Sequence, residues 1–250
     1  MISFADQSAV VVGAGAGIGR STAALLARLG AAVTCVDRDA AAAATVADEI
    51  AAAGGRALAA TADVTDPAAV RAAFGAAADE FGPIHAAVNC AGVTGQTGAP
   101  SHEVSLDDFA HVHRVNVHGA MVVSQVAVGH MLPHGYGRIV HVASISGKDG
   151  NPNMVAYSSS KAALIGMVKV QGKEYAQHGI TVNAIAPAVI RTDMVAALPD
   201  DVVAYMVSKI PMGRTGELDE AAAMIAFVAS SACSFTTGFT FDLTGGRATY

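Results

Sequence analysis

The feature that most constrains the fold is a repeated alternation between short apolar, often β-branched runs and longer alanine-rich segments. The runs have the length of strands and the segments between them have the length of helices. Each strand is therefore expected to pair in parallel with another through a right-handed crossover. The predicted strands are Ala9–Val12, Val33–Val36, Ala57–Ala60, Ala86–Asn89, Arg138–Val142, Thr181–Ala186 and Phe239–Asp242. The sequence thus predicts an α/β fold with a doubly wound, parallel, seven-stranded sheet.

Length and composition favour one domain that binds a small molecule. The chain has 250 residues, of which 52% are hydrophobic, and it contains no repeat or linker, so a single domain over 1–250 is expected. The net charge is −6 and the 15 lysines and arginines form no basic stripe, which argues against a nucleic-acid partner. The expected partners are therefore small molecules.

The sequence also indicates a protein that is not exported. Its start, MISFADQSAV, lacks a positively charged leader, and no apolar stretch reaches the roughly 20 residues of a membrane span. Cys35, Cys90 and Cys233 lie far apart and are odd in number, as expected for reduced thiols. We expect a cytoplasmic location and no membrane partner.

The first predicted strand runs into a glycine-rich turn, in the stretch VVVGAGAGIGR from Val10 to Arg20. The common dinucleotide spacing G-x-G-x-x-G fails in every register, but Gly13, Gly17 and Gly19 form G-x-x-x-G-x-G. Such a turn leaves backbone amides and a helix N-terminus free to bind a pyrophosphate. The alternative is a strand-to-helix turn that needs left-handed glycines and binds nothing.

Polar residues follow the next strands, at the edge where a doubly wound sheet binds its ligands. Asp37 is placed to accept hydrogen bonds from an adenosine ribose and to repel a ribose 2′-phosphate. Arg38 softens that repulsion, so the two charges favour NAD while tolerating some NADP. Asp63, next to Val64, either meets the adenine edge or forms a cap or turn, and the small residues of Asn89–Gly92 let the backbone approach the nucleotide.

A tyrosine and a lysine lie one helical turn apart, which suits proton transfer. Tyr157 and Lys161 share a helix face, and Ser144 follows the fifth predicted strand. Hydride transfer at a carbonyl carbon requires a proton to move on the oxygen, and a tyrosine with an ordinary pKa of about 10 needs a nearby positive charge to act as the base. Lys161 supplies that charge, Ser144 holds the substrate oxygen, and Asn116 either anchors a water near Lys161 or is a satisfied buried amide. Taken alone, the Tyr157–Lys161 pair is more typical of simple helix packing.

Together these residues resemble the short-chain dehydrogenase/reductase family over nearly the whole chain. The matching motifs are Gly13, Gly17 and Gly19, Asp63-Val64, Asn89 to Gly92, Asn116, Ser144, Tyr157 and Lys161. The resemblance implies a Rossmann sheet, catalysis by Asn116, Ser144, Tyr157 and Lys161, and a Gly15 that is merely a tolerated small residue. With the charges described above, it predicts NAD as cofactor, bound by Gly13, Gly17, Ile18, Gly19, Asp37, Asp63, Val64, Asn89, Ala91, Gly92, Tyr157, Lys161, Pro187, Val189, Ile190 and Thr192.

The substrate-facing segments carry a weaker signal. GKDGNPNMVAYS, APAVIRT and the terminal FTTGFTFDLTGGRATY resemble a subgroup that oxidises 2-keto-3-deoxy sugar acids at C4. Cations near the pocket suit a carboxylate-bearing substrate. The candidate substrate residues are Ser144, Lys148, Asn151, Arg191 and Arg247. The expected reaction is the NAD-dependent oxidation of a secondary alcohol to a ketone.

Two other functions stay open. A 3-oxoacyl thioester reductase of the acyl carrier protein type is expected to carry an NADPH-selecting basic residue in place of Asp37. An NAD-sensing binding protein without turnover is expected to have lost Ser144, Tyr157 or Lys161, and all three are present. No metal site is expected, because the most closely spaced histidines lie on different helix faces.

The resemblance also implies a homotetramer. Long helices near Val112–Met131 and Met154–His178 would pack across one axis, and the last helix and strand across another. Arg247 or Tyr250 would then close the partner's active site, and Arg247 would meet a substrate carboxylate. The alternative is a solvated arginine on a frayed terminus.

Overall fold

The computed structural model describes residues 2–196 and 200–248, and these residues contain one parallel sheet. Its strands are β1 (Ser8–Val12), β2 (Ala32–Asp37), β3 (Arg56–Thr61), β4 (Ile84–Asn89), β5 (Gly137–Val142), β6 (Ile180–Pro187) and β7 (Thr240–Leu243). Their order across the sheet is β3-β2-β1-β4-β5-β6-β7. The order reverses between β1 and β4, the point at which such sheets bind ligands. The predicted doubly wound, seven-stranded fold is confirmed.

Helices cover both faces of the sheet. They are α1 (Gly17–Arg28), α2 (Ala40–Ala52), α3 (Pro67–Phe81), α4 (Leu106–His113), α5 (Ala120–Met131), α6 (Ser146–Asp149), α7 (Val155–Glu174), α8 (Asp193–Ala196), α9 (Asp200–Ser208) and α10 (Leu218–Val228). α1, α2 and α10 pack on one face, and α3, α5 and α7 pack on the other. In the described part of the chain, every helix is too short or too polar to span a bilayer.

Strand β1 shows how the sequence pattern produces these two layers. All of its residues are buried, as expected for a strand covered on both faces. Because successive side chains point to opposite faces, Val10 and Val12 join the core beneath α3 and α7, whereas Ala9 and Val11 join the core beneath α1 and α2. This packing fixes where the carboxyl end of the strand stops and the glycine-rich turn begins.

The first six observed strands extend one or two residues beyond the predicted bounds at one or both ends, and two other elements differ in another way. The last strand begins at Thr240, one residue later than predicted, because the Phe239 amide donates to the Asn183 side chain at 3.1 Å. The helical segment predicted near Val112–Met131 is interrupted by a π-helical segment, Arg114–Gly119, between α4 and α5. Such π segments occur frequently at functional sites, and this one carries a predicted site residue.

Candidate active site

A cavity of about 410 Å³ opens at the switch point between β1 and β4. This volume lies in the range of small-molecule and cofactor sites, about 300 to 1,000 Å³. The predicted cofactor residues that line it are Gly13, Asp37, Asp63, Val64, Ala91 and Gly92. The structure thus brings together residues from the carboxyl ends of four strands, as the fold requires.

Close backbone contacts explain the glycines at the start of α1. A Cβ on Gly13 would lie 2.8 Å from the Ala91 nitrogen, and a Cβ on Gly19 would overlap the Gly13 carbonyl oxygen. Gly13 and Gly17 also have positive φ angles, of 78° and 52°. The turn therefore needs glycine for its own conformation, and it also brings bare backbone to the cavity.

The start of α1 offers unpaired backbone amides. At α2 and α3 the preceding residues, Asp39 and Asp66, each accept hydrogen bonds from the first amides of the helix. The residue before α1 is Ala16, and no side chain caps that helix. Its first amides and the positive end of its dipole are therefore available to an anion such as a pyrophosphate. The side chain of Ile18 packs partly into the core, so its backbone rather than its side chain is offered here.

Gly15 is not the tolerated small residue that the resemblance implies. A Cβ at this position would lie 2.7 Å from the Ala42 Cβ and 2.9 Å from Asp37 Oδ2. The expectation is wrong because the end of β2 and the start of α2 fold back onto the turn, leaving no room for a side chain.

The Asp37 carboxylate is held in place at the rim of the cavity. Its Oδ2 accepts from the Gly15 amide at 2.8 Å, and its Oδ1 accepts from the Asp39 amide at 3.0 Å. Each carboxylate oxygen can accept a further hydrogen bond, for example from a ribose hydroxyl. Arg38 also lines the cavity and is exposed. The site thus presents a fixed negative charge next to a movable positive one.

Asp63 lines the cavity and forms a turn, and the turn is one of the two roles expected from the sequence. Its Oδ1 accepts from the Thr65 amide at 2.8 Å and from the Thr65 hydroxyl at 2.7 Å. These hydrogen bonds lower the pKa of the Asp63 carboxyl, which keeps it ionised. The neighbouring Val64 is buried against Gly119, where any Cβ would lie 2.6 Å from a Val64 methyl carbon.

Ser144, Tyr157 and Lys161 meet beside this cavity, as predicted from their spacing. The Ser144 hydroxyl faces Tyr157, where it counteracts the rise that burial causes in the pKa of the tyrosine, and the Ser146 amide donates to Ser144 Oγ at 3.1 Å. Lys161 Nζ lies 5.7 Å from the centre of the Tyr157 ring and donates to the Val142 carbonyl at 2.7 Å. Because the Ser144 oxygen accepts from a fixed amide, its own proton can point at the tyrosine oxygen.

Burial dominates the electrostatics of this group. It raises the pKa of Tyr157 and lowers the pKa of Lys161 from 10.5 to about 8. Burial also raises the pKa of the nearby Cys90 thiol to about 12 and lowers the pKa of His141 to about 3, so both neighbours of Lys161 are neutral. Around neutral pH the tyrosine is therefore protonated, and a further positive charge is needed to favour its phenolate.

Asn116 is a satisfied buried amide in the π-helical segment. Its Oδ1 accepts from the Val93 amide at 2.8 Å, and its Nδ2 donates to the Val93 carbonyl and to Ser160 Oγ, both at 2.9 Å. Since both amide hydrogens are used, the side chain ties the loop after β4 to α7. Gly92 makes this approach possible, because its missing Cβ would lie 3.2 Å from Asn116 Oδ1 and 3.3 Å from Lys161 Nζ.

The segment after β6 lies between Ser144 and the start of α1 and is not part of the cavity lining described above. The Pro187 carbonyl accepts from the Ile145 amide at 2.9 Å. The Thr192 methyl carbon lies 3.6 Å from the position of a Cβ on Gly17. Ile190 is buried and forms a bridge with Gly216. Val189, between them, is partly exposed.

Carboxylates of this chain hold two of the cations expected to meet a substrate. Lys148 Nζ pairs with Asp242 Oδ2 at 2.7 Å, with both side chains mostly buried. Arg247 pairs with Asp149 at 3.3 Å and donates to Asn151 Oδ1 at 2.7 Å. The sequence-based alternative, a solvated Arg247 on a frayed terminus, is therefore wrong, since the Arg247 side chain is only 11% exposed. Tyr250 lies outside the described residues.

The other two substrate candidates differ in their surroundings. Arg191 is exposed and pairs with Glu217 at a longer distance, 3.6 Å. Asn151 donates to Ser146 Oγ at 2.6 Å, which connects Arg247 through Asn151 to the residue whose amide holds Ser144.

The sequence does not single out several residues of the cavity wall, which are Ala16, Thr65, Val93, His111, Arg114 and Val115. For three of them, the spacing in the sequence could have indicated a shared position. His111, Arg114 and Val115 follow the i, i+3, i+4 spacing of one helix face, directly before Asn116. Their contribution depends on the π-helical segment, which has no comparable pattern in the sequence.

Comparisons with known proteins show which family this chain resembles over its length. A family model described as enoyl-(acyl carrier protein) reductase, of the short-chain dehydrogenase/reductase type, matches residues 13–247. The chain is 44% identical, over 99% of its length and 97% of the other's, to a 2-dehydro-3-deoxy-L-rhamnonate dehydrogenase (NAD(+)) of Sphingomonas sp. (strain SKA58). It is 41% identical, over 98% and 97%, to a cis-4-hydroxycyclohexanecarboxylate dehydrogenase of Sinomonas cyclohexanicum.

A third relative belongs to a different substrate class. The chain is 36% identical, over the full length of both proteins, to a 3-oxoacyl-[acyl-carrier-protein] reductase of Synechocystis sp. (strain ATCC 27184 / PCC 6803 / Kazusa). Likeness at these levels over entire chains accounts for the motifs, the strand order and the grouped serine, tyrosine and lysine alike, and it shows that the chain belongs to the short-chain dehydrogenase/reductase family of oxidoreductases.

Proposed function

We propose that this protein catalyses the NAD-dependent oxidation of a secondary alcohol, at C4 of a 2-keto-3-deoxy sugar acid. The observation that carries the proposal is the grouping of Ser144 and Tyr157, with Lys161 Nζ 5.7 Å from the centre of the tyrosine ring, at the edge of a cavity suited to a dinucleotide. A binding protein without turnover would have no need for this arrangement of three groups.

The residues around the cavity fit a dinucleotide. Gly13 and Gly19 are positions that a Cβ would fill, the uncapped start of α1 suits a pyrophosphate, and Asp37 suits a ribose diol. Asp63, Val64, Asn89, Ala91 and Gly92 would then border the adenosine side. Pro187, Val189, Ile190 and Thr192 would border the nicotinamide side. When bound, the nicotinamide accepts the hydride and brings a positive charge close to the catalytic group.

The chain's own residues move the proton. Tyr157 Oη takes the proton of the substrate hydroxyl as general base, and Ser144 Oγ donates a hydrogen bond to the substrate oxygen. Lys161 stabilises the phenolate by its charge, as does the oxidised cofactor. Since burial alone raises the pKa of Tyr157, both positive charges are needed to make it an effective base near neutral pH. Asn116 acts indirectly, because its side chain holds the loop after β4 against α7.

The fixed Asp37 carboxylate supports NAD over NADP, because a 2′-phosphate would lie next to a negative charge that two backbone amides hold in place. The name of the Sphingomonas relative includes NAD(+), in agreement with this choice. The exposed Arg38 would leave some activity with NADP.

The proposed substrate bears a carboxylate. The Sphingomonas and Sinomonas relatives, which are 44% and 41% identical to this chain, are both named for hydroxylated carboxylic acids. Among the candidate cations, Arg191 is exposed and only loosely paired with Glu217 at 3.6 Å, so its guanidinium is the best placed to exchange that partner for a substrate carboxylate. Ser144 meets the reacting oxygen, whereas Lys148, Asn151 and Arg247 shape the loop beside it.

We also propose a cytoplasmic homotetramer. Exposed aromatic side chains just before β7 support an assembly through the last strand, since Phe235 is fully exposed and Phe239 is 53% exposed. Cys35, Cys90 and Cys233 are free thiols, which supports a reducing compartment.

A kinetic screen with matched substrates tests the proposed function. Initial rates would be measured for a 2-keto-3-deoxy sugar acid, for cis-4-hydroxycyclohexanecarboxylate and for cyclohexanol, each with NAD and with NADP. A 3-oxoacyl thioester would be tested with NADH and with NADPH. We expect the highest kcat/KM for the sugar acid with NAD. A higher kcat/KM for thioester reduction with NADPH would assign the chain to the reductase class, and no turnover of any substrate would leave only cofactor binding.

A further inference from the structure

A chain of buried hydrogen bonds connects α5 with Asn89–Gly92, here called the nucleotide turn. Its central residue is His141 of β5, which has no exposed surface and stands opposite Asn89 in the β4–β5 ladder. His141 Nδ1 lies 3.3 Å from Asn89 Nδ2, and His141 Nε2 lies 2.9 Å from Ser124 Oγ. At the other end, Asn89 Oδ1 accepts from the Ala91 amide at 3.2 Å.

The Ala91 amide determines the direction of every bond in this chain. An amide can only donate, so the Asn89 atom that faces it is the oxygen, and the nitrogen faces His141. His141 Nδ1 must then accept, which leaves the ring proton on Nε2, donated to Ser124 Oγ. Reversing the Asn89 amide would set two donors against each other in a buried site, and so would a second proton on the ring.

The nucleotide turn has to be held precisely because it has little clearance. The Ala91 nitrogen lies 2.8 Å from the position of a Cβ on Gly13, so the two loops touch through bare backbone. On the other side, Gly92 lies against Asn116 and Lys161. A shift of the turn would therefore change the cavity wall and the surroundings of the catalytic lysine together.

We propose that His141 is a positioning residue, which in its Nε2–H form holds the nucleotide turn in the shape that binds NAD. The inference rests on the proposed function, because it assigns the turn to the cofactor. His141 touches neither cofactor nor substrate and acts through Asn89. Burial lowers the pKa of His141 to about 3, which agrees with an imidazole ring that is neutral near neutral pH.

Two substitutions separate this role from a merely structural one. In His141→Asn, the new amide oxygen takes the place of Nδ1 and keeps the bond to Asn89 while losing the bond to Ser124. In His141→Gln, the longer amide reaches the place of Nε2 and keeps Ser124 while losing Asn89. Both replace a buried ring by a smaller polar side chain, so each serves as the other's control for loss of packing.

The measurement is the Kd for NAD by calorimetry, with kcat and KM determined in parallel. We expect the Kd of His141→Asn to stay within about threefold of wild type and that of His141→Gln to rise by about tenfold, the effect of one lost hydrogen bond. KM for NAD should follow Kd, while kcat changes less. Equal Kd values in the two variants, with NAD bound by the wild type, would overturn the inference alone. Failure of the wild type to bind NAD would overturn the proposed function with it.

A spectroscopic measurement needs neither variant to be active. In nitrogen NMR spectra of the wild-type protein at neutral pH, the His141 signals are identified by their absence from either variant. We expect a protonated Nε2 and an unprotonated Nδ1. A proton on Nδ1, or a doubly protonated ring, would contradict the hydrogen-bond directions on which the inference depends.

Discussion

The Gly15 amide donates a hydrogen bond of 2.8 Å to the Asp37 carboxylate, which joins the glycine-rich turn to the residue that we propose binds the adenosine ribose. The contact has two consequences. It holds the negative charge of Asp37 at the end of β2, and it leaves no space for a side chain at position 15. Coenzyme choice and the shape of the turn are therefore coupled through this pair.

Asp37→Asn is expected to narrow the preference for NAD. The amide oxygen can still accept from Gly15, whereas the amide nitrogen cannot accept from Asp39, and the charge that repels a 2′-phosphate is gone. The ratio of kcat/KM for NAD to that for NADP should fall by about tenfold, which corresponds to roughly 1.4 kcal/mol of lost repulsion. Asp79→Asn, an equal loss of charge on the exposed surface of α3, should leave the ratio unchanged. A wild-type kcat/KM for NADP equal to or above that for NAD would contradict this view of Asp37.

Gly15→Ala is expected to raise KM for NAD and to destabilise the fold. The added Cβ would lie 2.7 Å from the Ala42 Cβ and 2.9 Å from Asp37 Oδ2, so both must move. Gly75→Ala is the matched control, because a Cβ there meets nothing within 4 Å in the middle of α3. That control should stabilise the protein by up to about 1 kcal/mol, from helix propensity. Equal Tm values for the two variants would show that the turn adapts freely.

The contrast between Gly13 and Gly15 shows which constraints on a glycine can be predicted from the sequence and which cannot. Gly13, Gly17 and Gly19 belong to a spacing with a physical meaning within one turn, so their importance is readable from a short stretch. The constraint on Gly15 comes from Asp37 and Ala42, which reach it only after β2 and α2 have folded back. The pattern of the sequence contains no record of that contact.

The same distinction applies elsewhere in the site. Ser144, Tyr157 and Lys161 could be predicted, because strand ends and helix faces place residues in known directions. The ion pair of Lys148 with Asp242 joins positions on β7 and α6 that no local pattern relates. The π-helical segment, Arg114–Gly119, contains Asn116, whose side chain bonds to another loop, and no local pattern in the sequence marks that contact.

Tyr157→Phe is expected to lower kcat by about 10² to 10⁴-fold, because the only atom removed is the oxygen that carries the proton. The Kd for NAD should change little. Tyr205→Phe removes the same atom from a residue of α9 that is 60% exposed, and it should leave kcat unaffected. A kcat of Tyr157→Phe close to that of the wild type would contradict the assignment of Tyr157 as the general base.

His141 is expected to make the fold sensitive to acid. Its pKa is lowered from 6.5 to about 3 in the folded protein, first by burial and then by the nearby Lys161 charge. Between these values the unfolded chain binds the proton and the folded chain does not. Stability is therefore complete above the unfolded pKa and falls as the pH decreases, by up to about 1.4 kcal/mol per pH unit from this residue.

Denaturant unfolding at several pH values from about 4.5 to 7.5 measures this slope. His141→Asn removes the titrating group and should flatten the fall in unfolding free energy below pH 6.5. His102→Asn, an exposed histidine at the surface, is the control and should keep the wild-type slope. Equal slopes of unfolding free energy against pH in all three proteins would mean that folding does not lower the pKa of His141.

Arg247 and Arg191 are expected to affect substrate binding in different ways. Arg247 is mostly buried and bonded to Asp149 and Asn151, so Arg247→Met should loosen the loop that leads to Ser144. KM should then rise, by a similar factor, for a carboxylate substrate and for the neutral cyclohexanol. Arg191→Met removes an exposed cation and should raise KM by about tenfold for the carboxylate substrate alone. Neither change reaches the glycine-rich turn, so the Kd for NAD should stay constant. If Arg247→Met raised KM only for the carboxylate substrate, Arg247 would itself contact the substrate, and its hydrogen bonds to Asp149 and Asn151 would be exchanged when the substrate binds.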